Sequence, residues 1–95
     1  MPVLNFSYAT IKDMAAFKMY VEKASVLMQR HDVETVVRGT YRTAFNGTSK
    51  PPHFTAVFRY KDMESAMRFY RSDAYQDLVE LRDAACDMEI QFYDE

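Results

Sequence analysis

The chain is poor in the residues that cross-link, bend or loosen a small fold. Its 95 residues include one cysteine, two glycines, three prolines and no tryptophan. A single cysteine, Cys86, excludes an intrachain disulfide and is typical of a reducing compartment, so we expect a cytoplasmic location. The scarcity of glycine and proline leaves little room for long flexible segments. The length allows a single domain over 1–95 with one modest core.

The sequence also lacks the usual signals for membrane or nucleic-acid binding. No apolar run approaches the ~20 residues that cross a bilayer, and the N-terminal segment has no basic region followed by a leader-like apolar stretch. The formal net charge is −2, whereas nucleic-acid binding depends on clustered positive charge. The segment RGTYRTAF shares only Arg38, Gly39 and Phe45 with the RNA-recognition consensus. We therefore expect no nucleic-acid and no membrane partner.

Cofactor and metal signatures are missing as well. No glycine-rich phosphate loop or nucleotide fingerprint occurs. The residues His31, His53 and Cys86 lie far apart in the sequence and do not form a metal-ligand spacing. We expect neither a cofactor nor a metal. What the chain does have is aromatic residues, 7 Tyr and 7 Phe, which is generous for so small a core and favours a lined pocket or an interface.

Period-two alternation predicts four strands, over residues 3–9, 34–45, 54–60 and 86–93. The segment NGTSKPP reads as the turn between the second and third strands. One face of this sheet is predicted to be covered by helices and the other to be open. The covered face would hold Leu4, Phe6, Phe58 and Ile90, and the open face Asn5, Ser7, Thr55, Val57, Arg59, Glu89, Gln91 and Tyr93.

Apolar residues at steps of three and four predict the helices. A first helix runs from Met14 and ends near His31. A second begins after Asp62, is interrupted at Ser72, and continues in a further helical segment through Ala85. The resulting β-α-β-β-α-β order is that of an α+β, ferredoxin-like fold with a four-stranded antiparallel sheet.

The segment ESAMRFYRSDAYQDLVELRDAA (64–85) resembles a family pattern, A-x-x-W/F-Y-x-S-x-x-Y, followed by a leucine-arginine pair and small residues. From Val3 to Tyr93 the chain is similar to domain-of-unknown-function family 1330, of the dimeric α/β-barrel superfamily. The residues that match the family are Arg38, Gly39, Gly47, Tyr70, Ser72, Tyr75 and Arg82. The resemblance implies a homodimer whose sheets pack face to face into a barrel.

This resemblance supplies no reaction. Its superfamily includes monooxygenases, isomerases, decarboxylases and haem-degrading enzymes, and a shared fold does not choose among them. The chain also departs from the family pattern. Arg59 stands where an acidic residue is usual, Thr40 replaces a second glycine, and His31-Asp32 replaces a glycine pair. A site built around the usual acidic group would be altered or absent in this chain.

Two arginines are candidate anion anchors. Arg38 lies in the middle of the predicted second strand, where its planar fork could bind a ligand carboxylate or phosphate, or form an ion pair within the protein. Arg82 shares the apolar helix face with Tyr75, Leu78 and Val79, so it must pair, extend to solvent or enter a cleft. A salt bridge is the alternative to a ligand role for both.

The other candidate ligand-binding residues are Tyr70 and Tyr75, as pocket-lining rings or proton donors, and the polar groups Asn5 and Ser7. Packing in the core is the alternative for the tyrosines. Ser72 is more simply a helix cap than a nucleophile, because no base stands at a recognisable spacing.

Two functions follow from these residues, and the sequence leaves open whether the protein is an enzyme. In the first, the chain binds a small anionic or aromatic molecule, such as an organic acid or phenolic compound. If it converts this ligand, cofactor-free proton transfer or oxygenation is the chemistry to test. In the second, it is a non-catalytic homodimeric binding or stress-related module whose arginines are structural. A cavity of ligand size reached by an unpaired Arg38 or Arg82 would favour the first function.

Overall fold

The computed structural model describes residues 1–47 and 52–95. Within these residues, four strands and four helices follow one another. They are β1 (Val3–Ile11), α1 (Met14–Arg30), β2 (Glu34–Thr40), β3 (Phe54–Tyr60), α2 (Met63–Tyr70), α3 (Asp73–Gln76), α4 (Val79–Ala85) and β4 (Cys86–Asp94). The strands form one antiparallel sheet in the order β2-β3-β1-β4. The predicted ferredoxin-like fold is confirmed.

Short-range capping explains where α1, α2 and α3 begin. Asp13 accepts a hydrogen bond from the Ala16 amide at 3.0 Å and so caps α1. Asp62 does the same for α2, through the Ser65 amide at 2.7 Å. Such side chains satisfy amides that have no partner inside the helix. The predicted interruption at Ser72 is confirmed, because its hydroxyl accepts from the Tyr75 amide at 3.2 Å and caps α3.

A left-handed residue follows the end of helix α1. The Val33 amide donates to the Met28 carbonyl at 3.0 Å, which turns the chain toward β2. Asp32 makes this turn with φ = 56°, a region that L-residues other than glycine, asparagine and aspartate seldom occupy. The aspartate adopts here the backbone conformation that a glycine would take without strain.

The core lies between the sheet and the helices. Ala66 and Phe69 of α2 and Ala85 of α4 have no exposed surface, and Tyr75 is 1% exposed. Helix α1 contributes a stripe of buried residues at helical spacing, Tyr20, Ala24 and Met28. The helix-facing side of β3 carries Phe58 and Tyr60, both buried in the same cluster.

The strand faces correct one prediction. On β1, Asn5 and Ser7 lie under the helices, 0% and 7% exposed, because Asn5 pairs with the inward-facing Phe58 and Phe92. The alternate residues Leu4 and Phe6 lie on the opposite face. The expected burial of Leu4 and Phe6 beneath the helices is therefore wrong, as is the placement of Asn5 and Ser7 on the open face. The assignments for β3 and β4, including Phe58 and Ile90, are confirmed by the register.

We call the helix-free side the open face. Its apolar members are Leu4, Phe6, Tyr8, Val37, Val57 and Tyr93. Val37 is 51% exposed and Tyr93 is 52% exposed, and the Tyr93 ring packs edge-on against Phe6 at 5.1 Å between centroids. The polar groups Arg59, Glu89 and Gln91 share this face with them.

The second strand is shorter than predicted. β2 ends at Thr40, which pairs with Phe54 at the start of β3. Residues 41–44 have no regular secondary structure, and Phe45 is fully exposed. Of the predicted NGTSKPP turn, residues 48–51 lie outside the described residues, and Gly47 has φ = 83°, which glycine adopts freely.

Candidate functional site

A cavity of about 390 Å³ lies between α1 and the helix-facing side of the sheet. Most of its wall is apolar, with Phe17, Val21 and Met28 from α1 and Phe54 and Phe58 from β3. The residues with polar side chains in its described lining are Ser7, Tyr20, Ser25, Arg38, Thr40, Thr55 and Tyr70. An apolar wall with a few convergent polar groups is the usual composition of a small-molecule pocket.

Arg38 is the cationic group of this lining. Strand β2 directs its side chain to the helix side of the sheet, opposite Ala56 of β3. One of its terminal nitrogens donates to Ser25 Oγ at 3.4 Å, a long hydrogen bond. Within residues 1–47 and 52–95, no carboxylate forms a salt bridge with it. Because Arg38 is exposed, its fork lies at the solvent side of the cavity.

A polar network in the core connects β1 to α2. Asn5 donates through Nδ2 to the Tyr70 hydroxyl at 2.5 Å, and Ser7 donates to Asn5 Oδ1 at 2.7 Å. The partners are 65 positions apart in sequence for Asn5 and Tyr70, so this network forms only when the second half of the chain has folded onto β1. It explains how two polar side chains are tolerated under the helices, since each has a hydrogen-bond partner.

A second chain of hydrogen bonds runs from the surface toward the cavity. Arg82 donates to the Tyr75 hydroxyl at 3.0 Å, and the Tyr75 and Tyr20 hydroxyls are 2.9 Å apart. Arg82 also donates to the Asp83 carboxylate at 3.2 Å. Of these residues only Tyr20 is part of the lining. Arg82 is therefore bound to protein groups, and its fork lies outside the cavity.

The phenols of the site keep their protons. Burial raises the pKa of Tyr70 to about 12. Burial, together with the nearby phenols of Tyr75 and Tyr70, raises the pKa of Tyr20 well above its ordinary value. Removal of an ionised oxygen from water is unfavourable, so a buried phenol stays neutral. At neutral pH these side chains act as hydrogen-bond donors and acceptors and not as phenolate bases.

The remaining residues of interest lie elsewhere. His53 Nδ1 accepts from the Ile11 amide at 2.8 Å, which holds the imidazole between β1 and β3. The buried Cys86 thiol contacts the Arg82 carbonyl at 3.5 Å. In the described part of the chain, no group of three or more His, Cys, Asp or Glu side chains is arranged to hold a metal ion.

Arg59 lies on the open face and forms ion pairs with two carboxylates. It donates to both carboxylate oxygens of Glu95 at 2.7 Å and also to Glu34. These hydrogen bonds lower the pKa of the Glu95 carboxyl. The guanidinium links β3 to the end of β4 and the start of β2.

Sequence reasoning missed Tyr20. It lies three residues after Phe17 and four before Ala24, so it falls on the apolar stripe that predicted α1. A tyrosine on such a stripe needs a partner for its hydroxyl when buried, and that requirement was the available signal. Of the predicted residues, Arg38, Tyr70 and Ser7 reach the cavity. Asn5 and Tyr75 contact lining residues from behind, and Arg82 lies one step further out.

No helix in the described residues is both long and apolar enough to span a bilayer.

Comparison with known proteins identifies the family. The model of the family "Domain of unknown function (DUF1330)" matches residues 3–95, nearly the whole chain. The chain belongs to the DUF1330 family. This confirms the resemblance carried by the second-helix segment and by Arg38 and Gly39. No curated protein matches the sequence of this DUF1330 chain.

Solved structures share the fold at low sequence identity. A protein of unknown function from Rhodopseudomonas palustris is 14% identical with a TM-score of 0.88, covering 99% of this chain and 82% of its own. SnoaB, a cofactor-independent oxygenase from Streptomyces nogalater, is 13% identical with a TM-score of 0.73, and the match covers 99% of this chain and 92% of SnoaB. A dimeric protein of unknown function with a ferredoxin-like fold from Bacteroides fragilis is 6% identical with a TM-score of 0.71, and the match covers 99% of this chain and 96% of that protein. These likenesses establish the fold of the DUF1330 chain.

Proposed function

We propose that this chain binds a small anionic organic molecule, aromatic or partly apolar, in the cavity beneath α1, with Arg38 as the anion anchor. One observation supports this most directly: a cavity of about 390 Å³ is lined by Arg38, whose guanidinium forms no salt bridge with any described residue. A planar guanidinium binds a carboxylate through two parallel hydrogen bonds. The apolar wall then buries the body of the ligand.

The lining supports binding more strongly than acid–base catalysis. In the described residues it includes no carboxylate, imidazole, amine or thiol, and its buried phenols stay protonated at neutral pH. A general base needs a pKa near the working pH. The similar SnoaB is described as a cofactor-independent oxygenase. An analogous reaction in this chain would require a substrate that loses its proton without a base from this lining.

A second copy of the chain is the proposed partner of the open face. Leu4, Phe6 and Tyr8 form an apolar row there, beside Val37 and Tyr93, which are about half exposed. An exposed apolar sheet face of this kind favours association. The similar protein from Bacteroides fragilis is described as dimeric. A homodimer packed through this face agrees with both observations.

The ligand proposal is tested by thermal shift with a panel of small organic acids, including benzoate and 4-hydroxybenzoate. At ten times its dissociation constant, a ligand adds about 1.4 kcal/mol, which raises Tm by about 7 °C for a domain of this size. Arg38→Gln should abolish this shift. Arg71→Gln is the matched control, because Arg71 is exposed at the end of α2 and outside the lining.

Absence of stabilisation by every acid, together with no effect of Arg38→Gln, would refute the anion site. It would favour the second function, a dimeric module with structural arginines, which the pairing of Arg59 and Arg82 already supports.

The dimer is tested by sedimentation at micromolar concentration. Val37→Lys on the open face should shift the protein toward monomer. Val26→Lys should not, because Val26 lies on α1 and is similarly exposed, 47% against 51%. A monomeric wild-type protein would refute the dimer.

A further inference from the structure

A row of residues that crosses the sheet at Arg38 explains where the cavity lies. Strand pairing places Arg38 of β2 opposite Ala56 of β3, and Ala56 opposite Ser7 of β1. All three residues line the cavity. Ala56 and Ser7 have small side chains, so the space between sheet and helix that larger residues would fill stays open above them.

Larger side chains bound this space along the strand. On β3, Phe54 and Phe58 lie two residues to either side of Ala56, each about 7 Å away along the strand, and both line the cavity. Phe17 of α1 stacks on Phe54, with ring centroids 5.5 Å apart and ring planes 18° from parallel. We call the space above Ala56, between Phe54 and Phe58, the slot. It is bounded by phenyl rings along β3 and continues across the strands, from Arg38 toward Ser7.

Helix α1 also has small side chains at the level of Arg38. Ser25, whose hydroxyl accepts from Arg38, lines the cavity together with its neighbour Ala24. Ala24 is 5% exposed and belongs to the face of α1 that is turned to the sheet. Small residues on both the helix and the sheet therefore leave the slot open at the same level.

The charge of the described lining lies at one end of the slot. Arg38 is the charged residue of that lining and is exposed at the sheet edge. At the other end, Ser7 donates to Asn5 and Asn5 donates to Tyr70, so these polar groups are engaged with one another. A second ligand charge placed there would leave water without an opposite charge beside it, which is unfavourable. The end of the slot away from Arg38 is therefore suited to an uncharged group.

From this arrangement we infer that the ligand is an aromatic monocarboxylate that lies across the strands. Its carboxylate is bound by Arg38, its ring lies over Ala56, and an uncharged substituent opposite the carboxylate points toward Ser7. Two strand spacings, about 10 Å, separate the positions of Arg38 and Ser7 in the sheet, a span that a benzoate with one short para substituent fills. Ala56 is then a specificity-determining residue, because its small side chain leaves room for the ring. This inference rests on the proposed function, since Arg38 supplies the anion site.

The position of the charge is tested with three probes that share one ring: benzoate, 4-isopropylbenzoate and terephthalate. Dissociation constants are measured by NMR titration of the 95-residue chain. The isopropyl probe should bind at least about tenfold more tightly than benzoate, because its three added carbons become buried. Terephthalate should bind at least about tenfold more weakly than benzoate. It has a carboxylate at both ends, so either orientation places one charge at the end of the slot away from Arg38.

The role of Ala56 is tested by filling the slot. Ala56→Val adds two methyl groups beneath the ring and should weaken both benzoate and 4-isopropylbenzoate at least about tenfold. Ala74→Val is the matched control, because Ala74 is exposed on α3 and outside the lining, and it should bind both probes as the wild-type protein does. The amide spectrum of each variant shows whether it is folded.

A second variant enlarges the slot. Cyclohexanecarboxylate has the charge of benzoate and a thicker ring, so the slot should favour benzoate in the wild-type protein. Ala56→Gly removes the methyl group beneath the ring and should raise the affinity for cyclohexanecarboxylate relative to benzoate by about threefold. This ratio is measured within one variant, so a change in its stability does not affect the comparison.

The outcomes separate this inference from the proposed function. Terephthalate binding as tightly as benzoate, with both still weakened by Arg38→Gln, would overturn the inference and leave the anion site standing. A folded Ala56→Val variant that binds the probes like the wild-type protein would also overturn it. If Ala56→Val is unfolded, an unchanged ratio in Ala56→Gly would have the same consequence. Binding of no probe to the wild-type protein at millimolar concentration would overturn both proposals.

Discussion

Tyr60 and Tyr75 permit a matched test of how the core satisfies its buried hydroxyls. Tyr60 is 2% exposed and Tyr75 is 1% exposed, so replacement by Phe makes the same chemical change at the same depth. The Tyr75 hydroxyl has two hydrogen bonds, to Arg82 and Tyr20. The Tyr60 hydroxyl is the buried side-chain polar atom that lacks a partner within residues 1–47 and 52–95. The two substitutions should therefore have opposite consequences.

The expected magnitudes follow from the bonds removed. Tyr75→Phe removes one charge-assisted bond and one phenol–phenol bond and leaves the Arg82 donor without its buried acceptor, which should cost about 2–3 kcal/mol. Tyr60→Phe removes a buried hydroxyl that makes no well-formed hydrogen bond, although Tyr70 and Asn5 lie beside it. It should leave stability unchanged or raise it by up to about 1 kcal/mol. For a domain of this length, these changes correspond to Tm shifts of about −10 to −15 °C and 0 to +5 °C.

The assay is urea unfolding followed by far-ultraviolet circular dichroism, since the chain has no tryptophan. All variants are compared at one protein concentration, because an oligomer's midpoint depends on it. Equal m-values are needed for the midpoints to be read as stability. A loss of 1.5 kcal/mol or more in Tyr60→Phe would refute the reasoning, because it would mean that its hydroxyl forms a hydrogen bond in the folded protein. A neutral Tyr75→Phe would equally refute the reasoning, because it would mean that the hydrogen bonds linking Arg82, Tyr75 and Tyr20 do not stabilise the fold.

Three further outcomes are expected. Asp32→Gly should stabilise the protein by about 0.5–1 kcal/mol in the same assay, because Asp32 has φ = 56°; a loss would show that its side chain matters more than its backbone. The phenols of Tyr20 and Tyr70 should leave stability unaffected below about pH 10 and lower it above that pH, because unfolding frees them to ionise while the fold raises their pKa. An equally steep fall in Tyr20→Phe and Tyr70→Phe would contradict this. The lowered pKa of Glu95 stabilises the fold above about pH 4.5, and this contribution is lost as the pH falls through the lowered pKa. Glu95→Gln should therefore make the loss of stability at acid pH less steep. An unchanged loss would exclude the Arg59–Glu95 pair as its cause.

Local signals in the sequence were sufficient for the element order. Asp62 and Ser72 cap helices through bonds to amides three residues on, and such contacts depend on nearby sequence alone. The end of β2 was harder to predict. Residues 41–45 have strand-forming side chains, but β3 begins at Phe54 opposite Thr40. Beyond the Tyr41 amide, which donates to the His53 carbonyl at 2.8 Å, these residues have no paired strand in the described chain. Propensity cannot show where a neighbouring strand begins.

The wrong prediction of which β1 face the helices cover has a different cause. Alternation shows which residues share a face, but it does not show which face the helices cover. Phe6 and Leu4 suggested the covered face because apolar residues are usually buried there. The covered face instead carries Asn5 and Ser7, whose hydrogen bonds involve Tyr70 far away in the sequence. Because the cavity has polar groups at its base, the polar residues of β1 lie on the face that the helices cover. Only the tertiary contacts show this arrangement.

The family resemblance supplied Arg38, Tyr70, Tyr75 and Arg82 as one group of residues. The structure divides them by position. Arg38 and Tyr70 line the cavity, whereas Tyr75 and Arg82 stand behind Tyr20. Spacing along a helix placed Arg82 on the buried side correctly. It could not distinguish a fork that reaches a ligand from one that reaches a neighbouring phenol.

The burial of Cys86 makes the chain suitable for measuring its own opening. The thiol is 2% exposed where α4 passes into β4, and it is the protein's sole cysteine. Its strand position is opposite Ile11 at the end of β1. A thiol reagent can therefore modify the protein only when this junction separates, and every modified molecule carries the label at one known position. The rate of labelling reports how often the end of β1 and the start of β4 separate, without any engineered probe.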